Sequence, residues 1–169
     1  MIRNSDVCLR AVRLDDLDIL YKAINNPDLV KHNASYSIIH ETEHLKWFER
    51  LISDKTKAFF MIDFENHPVG SAQLIDIHPV HKNAEITIRL FEENNFGKQI
   101  GSQALSILCD YGFNNLNLHR LWLRVFHDNE RAIRVYKKNG FNEEGLMKEA
   151  AFIQGVFKHV LIMGKIRND

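Results

Sequence analysis

Residues 94–141 restrict the fold more than any other part of the chain. They open on a glycine-bearing turn, Phe96-Gly97-Lys98-Gln99-Ile100-Gly101. An amphipathic pattern follows at once, with Ile100, Ala104, Ile107, Leu108 and Tyr111 on one helical face. The apolar run at 121–126 reads as a buried strand. A second helix is expected from Asp128 or Asn129 to Asn139-Gly140. Just upstream, residues 84–90 alternate Glu85, Thr87 and Arg89 with Ile86, Ile88 and Leu90, the pattern of a strand. Two strands joined through a helix should run parallel, because only a long crossover brings a chain back in the same direction.

The turn has a chemical use as well. At a helix N-terminus the first backbone N–H groups lack partners and carry the positive end of the helix dipole. Glycines let a phosphate come close to that backbone. Residues Phe96 to Ser102, with the charge of Lys98, therefore form a candidate pyrophosphate cradle.

Further along, Asn129 is followed seven residues later by Tyr136, and then by Lys-Asn-Gly-Phe at 138–141. This series, the glycine turn and the strand before it together resemble the Gcn5-related N-acetyltransferase (GNAT) superfamily. The turn sits where that family has Gln/Arg-x-x-Gly-x-Gly/Ala. The tail, with Glu144-Gly145-Leu146-Met147-Lys148-Glu149, Gly155-Val156-Phe157 and Leu161-Ile162-Met163-Gly164, is similar to the RimJ/RimL group. Two positions depart from the pattern: Phe96 replaces the usual Gln/Arg, and Gln99 replaces the middle glycine.

The resemblance implies an α/β (α+β) GNAT fold. Its sheet would be mixed and mostly antiparallel, of about seven strands, with helices on both faces and a central splayed parallel pair. It implies acetyl-CoA as co-substrate, its pantetheine arm in the gap beside Arg89, Leu90 and Phe91. Phe96, Gly97, Lys98, Gln99, Ile100, Gly101 and Ser102 would hold its phosphates, with Asn129 and Tyr136 also touching it. Glu85 stands where the histone-acetyltransferase branch has its general base, and Tyr136 matches the general acid. The competing structural readings are a Glu85 paired with Arg89 or Arg124, and a Tyr136 packed on the core. Another branch places its base on the following strand; this chain has Arg124 there, which closes that route, and Glu149 is held in reserve.

The rest of the chain supplies one domain over 1–169, long enough for a sizeable core. Strands are expected at 7–12, Ala58–Phe64, 69–78 and Val156–Ile166, with another near Phe141 and a hairpin turn at 65–68. Asp15 is the expected cap of a first helix, with Asp18 completing a capping box and Leu17, Leu20, Tyr21 and Ile24 as its apolar stripe. Thr42 is the expected cap of a second, with Leu45, Phe48 and Ile52 on its inner face and Trp47 and Leu51 beside them. In the resembling family these helices and their loop wall the acceptor site, which makes Asn33, Tyr36 and Trp47 candidates. Trp47 as a core residue is the competing reading.

A formal net charge of zero argues against a dedicated nucleic-acid binder. Two cysteines make no disulfide framework, no apolar run reaches membrane-span length, and a cytoplasmic setting is expected. The pairs His40/His44 and His78/His81 lack cysteine or carboxylate company at zinc spacing, so no metal is expected. The expected acceptor is a primary amine, first a protein N-terminus as in ribosomal-protein acetylation. An amino sugar, a polyamine or another small molecule is the alternative. A non-catalytic acyl-CoA-binding module is the non-enzymatic rival, and a homodimer is an assembly open to the chain.

Overall fold

The computed structural model describes residues 2–4, 6–30, 38–95 and 97–167. Among these residues the strands are β1 (Ile2–Asn4), β2 (Val7–Ala11), β3 (Ala58–Phe64), β4 (His67–His78), β5 (Asn83–Leu90), β6 (Arg120–Phe126), β7 (Asn142–Ile153) and β8 (Val156–Ile166). They form one sheet in the order β1-β2-β3-β4-β5-β6-β8-β7. Every neighbouring pair is antiparallel except β5 and β6. The expected mixed sheet and parallel crossover are present. The strand beyond the expected seven is β1, which folds back on β2 through Ile2↔Leu9.

The helices are α1 (Leu17–Ile24), α2 (Pro27–Val30), α3 (Glu41–Ser53), α4 (Ile100–Asp110) and α5 (Glu130–Lys138). The main core joins α4, through Ala104, Leu105 and Leu108, to Leu74, Ile86, Leu121 and Leu123 of the sheet. Ala132, Ile133 and Tyr136 of α5 pack on the same core. Each fully buried leucine here contributes about 1.5–3 kcal/mol relative to an exposed one. A smaller cluster of Leu20, Met61 and Phe91, with Trp47 and Phe59 against it, includes residues of α1 and α3. Parity along β3 puts Met61 and Phe59 on the opposite face from Ile62, which belongs to the main core. Helices therefore cover both faces.

Three local expectations are corrected. Asp15 caps nothing: a 3-10 turn at Leu14–Asp16 precedes α1, and it is Asp16 that reaches back to accept from Arg13 N–H at 2.7 Å. Arg10 draws Asp16 inward with two further hydrogen bonds, so the buried position belongs to Asp16. Thr42 lies inside α3, which His40 caps without a side-chain bond. The buried face of α3 is His44, Phe48 and Leu51, while Leu45 and Ile52 are exposed. His44 takes the inner position because its Nε2 bonds the Leu17 carbonyl at 3.1 Å and its ring stacks on Trp47 at 5.0 Å.

Cys8 and Cys109 are free and buried, and burial pushes the Cys109 thiol up to about 12, which leaves no nucleophile there. No helix among the described residues is long and apolar enough to cross a membrane.

Candidate active site

The parallel pair is short. β5 and β6 match only at Asn83↔Arg120, Ala84↔Leu121 and Glu85↔Trp122, although β5 continues to Leu90 and β6 to Phe126. The strands part after Glu85. On its other edge β5 stays paired to β4 up to Gly70↔Leu90, and Phe91 N–H bonds the Val69 carbonyl at 2.9 Å. Backbone groups alternate sides along a strand. The N–H and C=O of Ile88 and Leu90 therefore point across the opened gap, while those of Arg89 and Phe91 are spent on β4. Of the three residues expected beside the coenzyme, Leu90 presents its backbone to the gap. The Arg89 side chain is exposed and that of Phe91 is buried.

The glycine turn stands where β5 meets the start of α4. Gly97 has φ 82° and Gln99 has φ 61°, both left-handed. An ordinary helical backbone at Gln99 would have made the missing glycine harmless. The structure instead keeps the left-handed conformation with a glutamine in it, at a cost of roughly 1–2 kcal/mol. Its side chain is exposed, as is that of Lys98. Ile100 anchors the helix in the core, and Gln103 N–H makes the first helical bond to the Gln99 carbonyl at 2.9 Å. The N–H groups of Ile100, Gly101 and Ser102 precede it at the positive end of the helix and have no backbone partner among the described residues.

Outside its own helix backbone and chain neighbours, a Cβ on Gly101 would meet no atom of the described residues nearer than Leu90 Cδ1 at 4.0 Å, which leaves room over this backbone for a ligand. Ser102 Oγ accepts from Asn139 Nδ2 at 2.9 Å, which leaves its own O–H to donate. Asn139 lies in the Lys-Asn-Gly-Phe series but was not among the expected site residues; its spacing from Tyr136 was the available signal. Phe96 lies outside the described residues. Open helix donors, an uncovered glycine and a free strand edge together fit an acyl-CoA.

On α5, Asn129 caps the helix by accepting from Ala132 N–H at 3.1 Å. The same amide keeps its NH₂ for a ligand, so both expected roles are compatible. The Tyr136 ring packs edge-on to Phe141 at 6.2 Å. Its hydroxyl makes no hydrogen bond to any of the described residues. Burial pushes the phenol up to about 12, so it carries its proton throughout the physiological range.

On the opposite sheet face Glu85 is buried and held by Arg124. Nε reaches Oε1 at 2.8 Å and Nη2 reaches Oε2 at 3.0 Å. The Glu85 side chain is 4% exposed and that of Arg124 is 52% exposed. The structural alternative for Glu85, an arginine partner, is thus present, and the partner is Arg124. Trp47 is half-buried between His44 and Phe59, in packing geometry. Asn33 and Tyr36 lie outside the described residues. Glu149 is exposed on β7, which β6 and β8 separate from β5, so it does not share the fork.

A family model described as acetyltransferase (GNAT) domain matches residues 6–142. The chain is 31% identical over 159 residues to spermidine N(1)-acetyltransferase of Escherichia coli (strain K12), covering 93% of this chain and 84% of that protein. The fold matches the crystal structure of spermidine N-acetyltransferase from Vibrio cholerae in complex with CoA and spermine. There the TM-score is 0.91 at 29% identity, with 96% of each chain covered. A dodecameric structure of the Vibrio cholerae enzyme matches with TM-score 0.84 at 28% identity, covering 96% of this chain and 95% of that one.

Proposed function

This chain belongs to the GNAT acetyltransferase family and is an acetyl-CoA-dependent N-acetyltransferase; on that premise we propose that its acceptor is a polyamine of the spermidine class. The observation that carries the reading is the likeness to spermidine enzymes across nearly the whole chain, the acceptor-side helices included. The first-ranked expectation, a ribosomal protein N-terminus, gives way to the polyamine alternative. The non-catalytic binding module is set aside with the enzyme class.

The reading assigns roles to this chain's own groups. The backbone of Ile88 and Leu90 pairs with the amide-bearing arm of the acyl-CoA, as an added strand would. The first N–H groups of α4 and the Ser102 hydroxyl bind its phosphates, with Lys98 as a nearby charge. Glu85 takes the proton of the amine, directly or through a water, so that the nitrogen can attack the thioester carbonyl. The C–S bond then breaks and a thiolate departs beside Tyr136. Burial keeps the Tyr136 phenol protonated, and its hydroxyl donates to the departing sulfur as the general acid of this step.

Self-assembly beyond a homodimer belongs to the same reading. The Vibrio cholerae relative forms a dodecamer, and here β7 is the last strand of the sheet, its outer edge unpaired among the described residues, with Leu146 and Met147 exposed.

The test is thiol release with acetyl-CoA against spermidine, spermine, an amino sugar and an N-terminal serine peptide. Spermidine should give the highest kcat/KM. Faster turnover of the peptide would sink the polyamine assignment. On the preferred acceptor, Tyr136→Phe should lower kcat by about ten- to a thousandfold and leave the melting temperature unchanged, because the hydroxyl has no hydrogen-bond partner among the described residues to lose.

A further inference from the structure

The fork between β5 and β6 has a side-chain bridge that the backbone pattern does not require. Register ends at Glu85↔Trp122. Arg124 is the next residue on that face of β6, and it reaches back across the point of divergence to both oxygens of Glu85. The two partners are unequal. The carboxylate is buried at 4% exposure, whereas the guanidinium is 52% exposed, its Cζ 5.9 Å from the centre of the Trp122 ring. The held group is thus inside and the holding group outside.

We propose that Arg124 is a positioning residue of the acetyl transfer: its guanidinium locks the Glu85 carboxylate at the root of the fork, in the orientation that receives the amine's proton. The inference rests on the N-acetyltransferase reading of the fork. A guanidinium fork takes one lone pair from each carboxylate oxygen, and each oxygen has two. The outer lone pairs remain for a water or for the acceptor nitrogen. Among the described residues, the other charged groups placed near the pair are Asp76 of β4, whose charge acts on Arg124, and Arg89, further along the same face of β5. Neither is hydrogen-bonded to Glu85. Among the described residues, Arg124 is the hydrogen-bonding partner that orients the carboxylate. Lysine could supply the charge but not the two-point grip.

The experiment uses the full chain as wild type, Arg124→Gln and Arg124→Lys. The readouts are kcat, the KM for acetyl-CoA and the pH dependence of kcat/KM, each per folded molecule, with Glu85→Gln as the reference that lacks the base. The shape of the pH profile should change in Arg124→Gln, with partial recovery in Arg124→Lys. Turnover should fall about tenfold or more in both variants, as expected for a misplaced reacting group, with the KM for acetyl-CoA within about twofold because the helix cradle is untouched. Wild-type turnover per folded molecule and a wild-type pH profile in Arg124→Gln, even with a lowered melting temperature, would reduce the pair to a stitch between strands and overturn the proposal. If Arg124→Gln does not fold, Arg124→Lys decides, and wild-type turnover in it overturns the proposal. An incorrect acceptor gives a different pattern: no thiol release with spermidine in the wild type, while the same loss in the Arg124 variants is seen on whichever amine the wild type does acetylate.

Discussion

Two arginine clamps sit on the same sheet and do different work. Arg10 on β2 grips both oxygens of Asp16 at 2.7 and 2.8 Å and one of Asp63 at 2.7 Å. All three side chains are buried or nearly so, at 9%, 6% and 15% exposure. Arg124 on β6 makes the same two-point contact with Glu85, but from the solvent side and at the place where two strands separate. The first clamp ties the approach to α1 onto the sheet between paired strands. The second borders a gap that paired strands do not fill. The chemistry of a guanidinium–carboxylate pair does not assign its role; burial of the arginine and the state of the neighbouring backbone ladder do.

The comparison breaks most sharply at the carboxylates' arginines and at Glu85 itself. Glu85→Gln keeps the shape and one bond to Arg124 while removing the base, so turnover should fall about a hundred- to ten-thousandfold. Stability should hardly change, and the rate deficit should shrink as rising pH deprotonates the amine without help. A normal rate at all pH values would move the base elsewhere and make the two clamps alike.

Arg10→Met should show the reverse. It strands two buried carboxylates and should cost about 3–5 kcal/mol of folding free energy, read from denaturant midpoints, with turnover per folded molecule unchanged. Replacing Asp16 and Asp63 by leucine in the same variant should recover much of that loss, since an apolar cluster of similar volume often replaces a buried ion cluster at little cost. Recovery would also remove Asp63 Oδ1, a buried oxygen without a hydrogen-bond partner.

The smallest effect is acid sensitivity. Burial pushes the Asp16 carboxyl up, but the Arg10 hydrogen bonds and the Arg13 N–H outweigh it and hold the group below its usual 3.8. A depressed folded value means that the unfolded chain takes up the proton first. This contribution is therefore complete above about pH 5 and is lost as pH falls through 3.8 to the folded value. Burial, partly offset by the Leu17 carbonyl bond, holds His44 below 6.5. Its contribution begins to fade earlier, as pH drops through 6.5. Stability measured against pH should show both windows in the wild type; in Arg10→Met the upper one should stay and the lower one should be lost or reversed, since a buried Asp16 without its guanidinium no longer favours the charged form. An unchanged lower window would detach Asp16 from the clamp.

The local geometry of the proposed coenzyme side was largely legible in the sequence. The left-handed Gly97, the uncovered Gly101 and the Asn129 cap are set within a few residues, so a linear motif carries them. The alternation at Glu85 and the length of the crossover likewise determined a parallel pair before any coordinates. The inner face of α3 was misread because His44 looked polar. Only its bond to Leu17, across a helix–helix contact, makes it a buried residue. Asn139 escaped because its target, Ser102, lies on another helix.

By itself the sequence determined the order of elements, the glycine turn, the capped helix of Tyr136 and the family. These follow from torsional preferences and periodicities that act over a few residues. Tertiary structure alone decided that β5 and β6 stop pairing after Glu85, that Gln99 keeps a glycine's conformation, and that Arg124 closes on Glu85 from 39 positions away. Those outcomes depend on strand register and on which side chain comes within about 3 Å of another. Such distances are set when the whole sheet packs against its helices, and no local segment contains them.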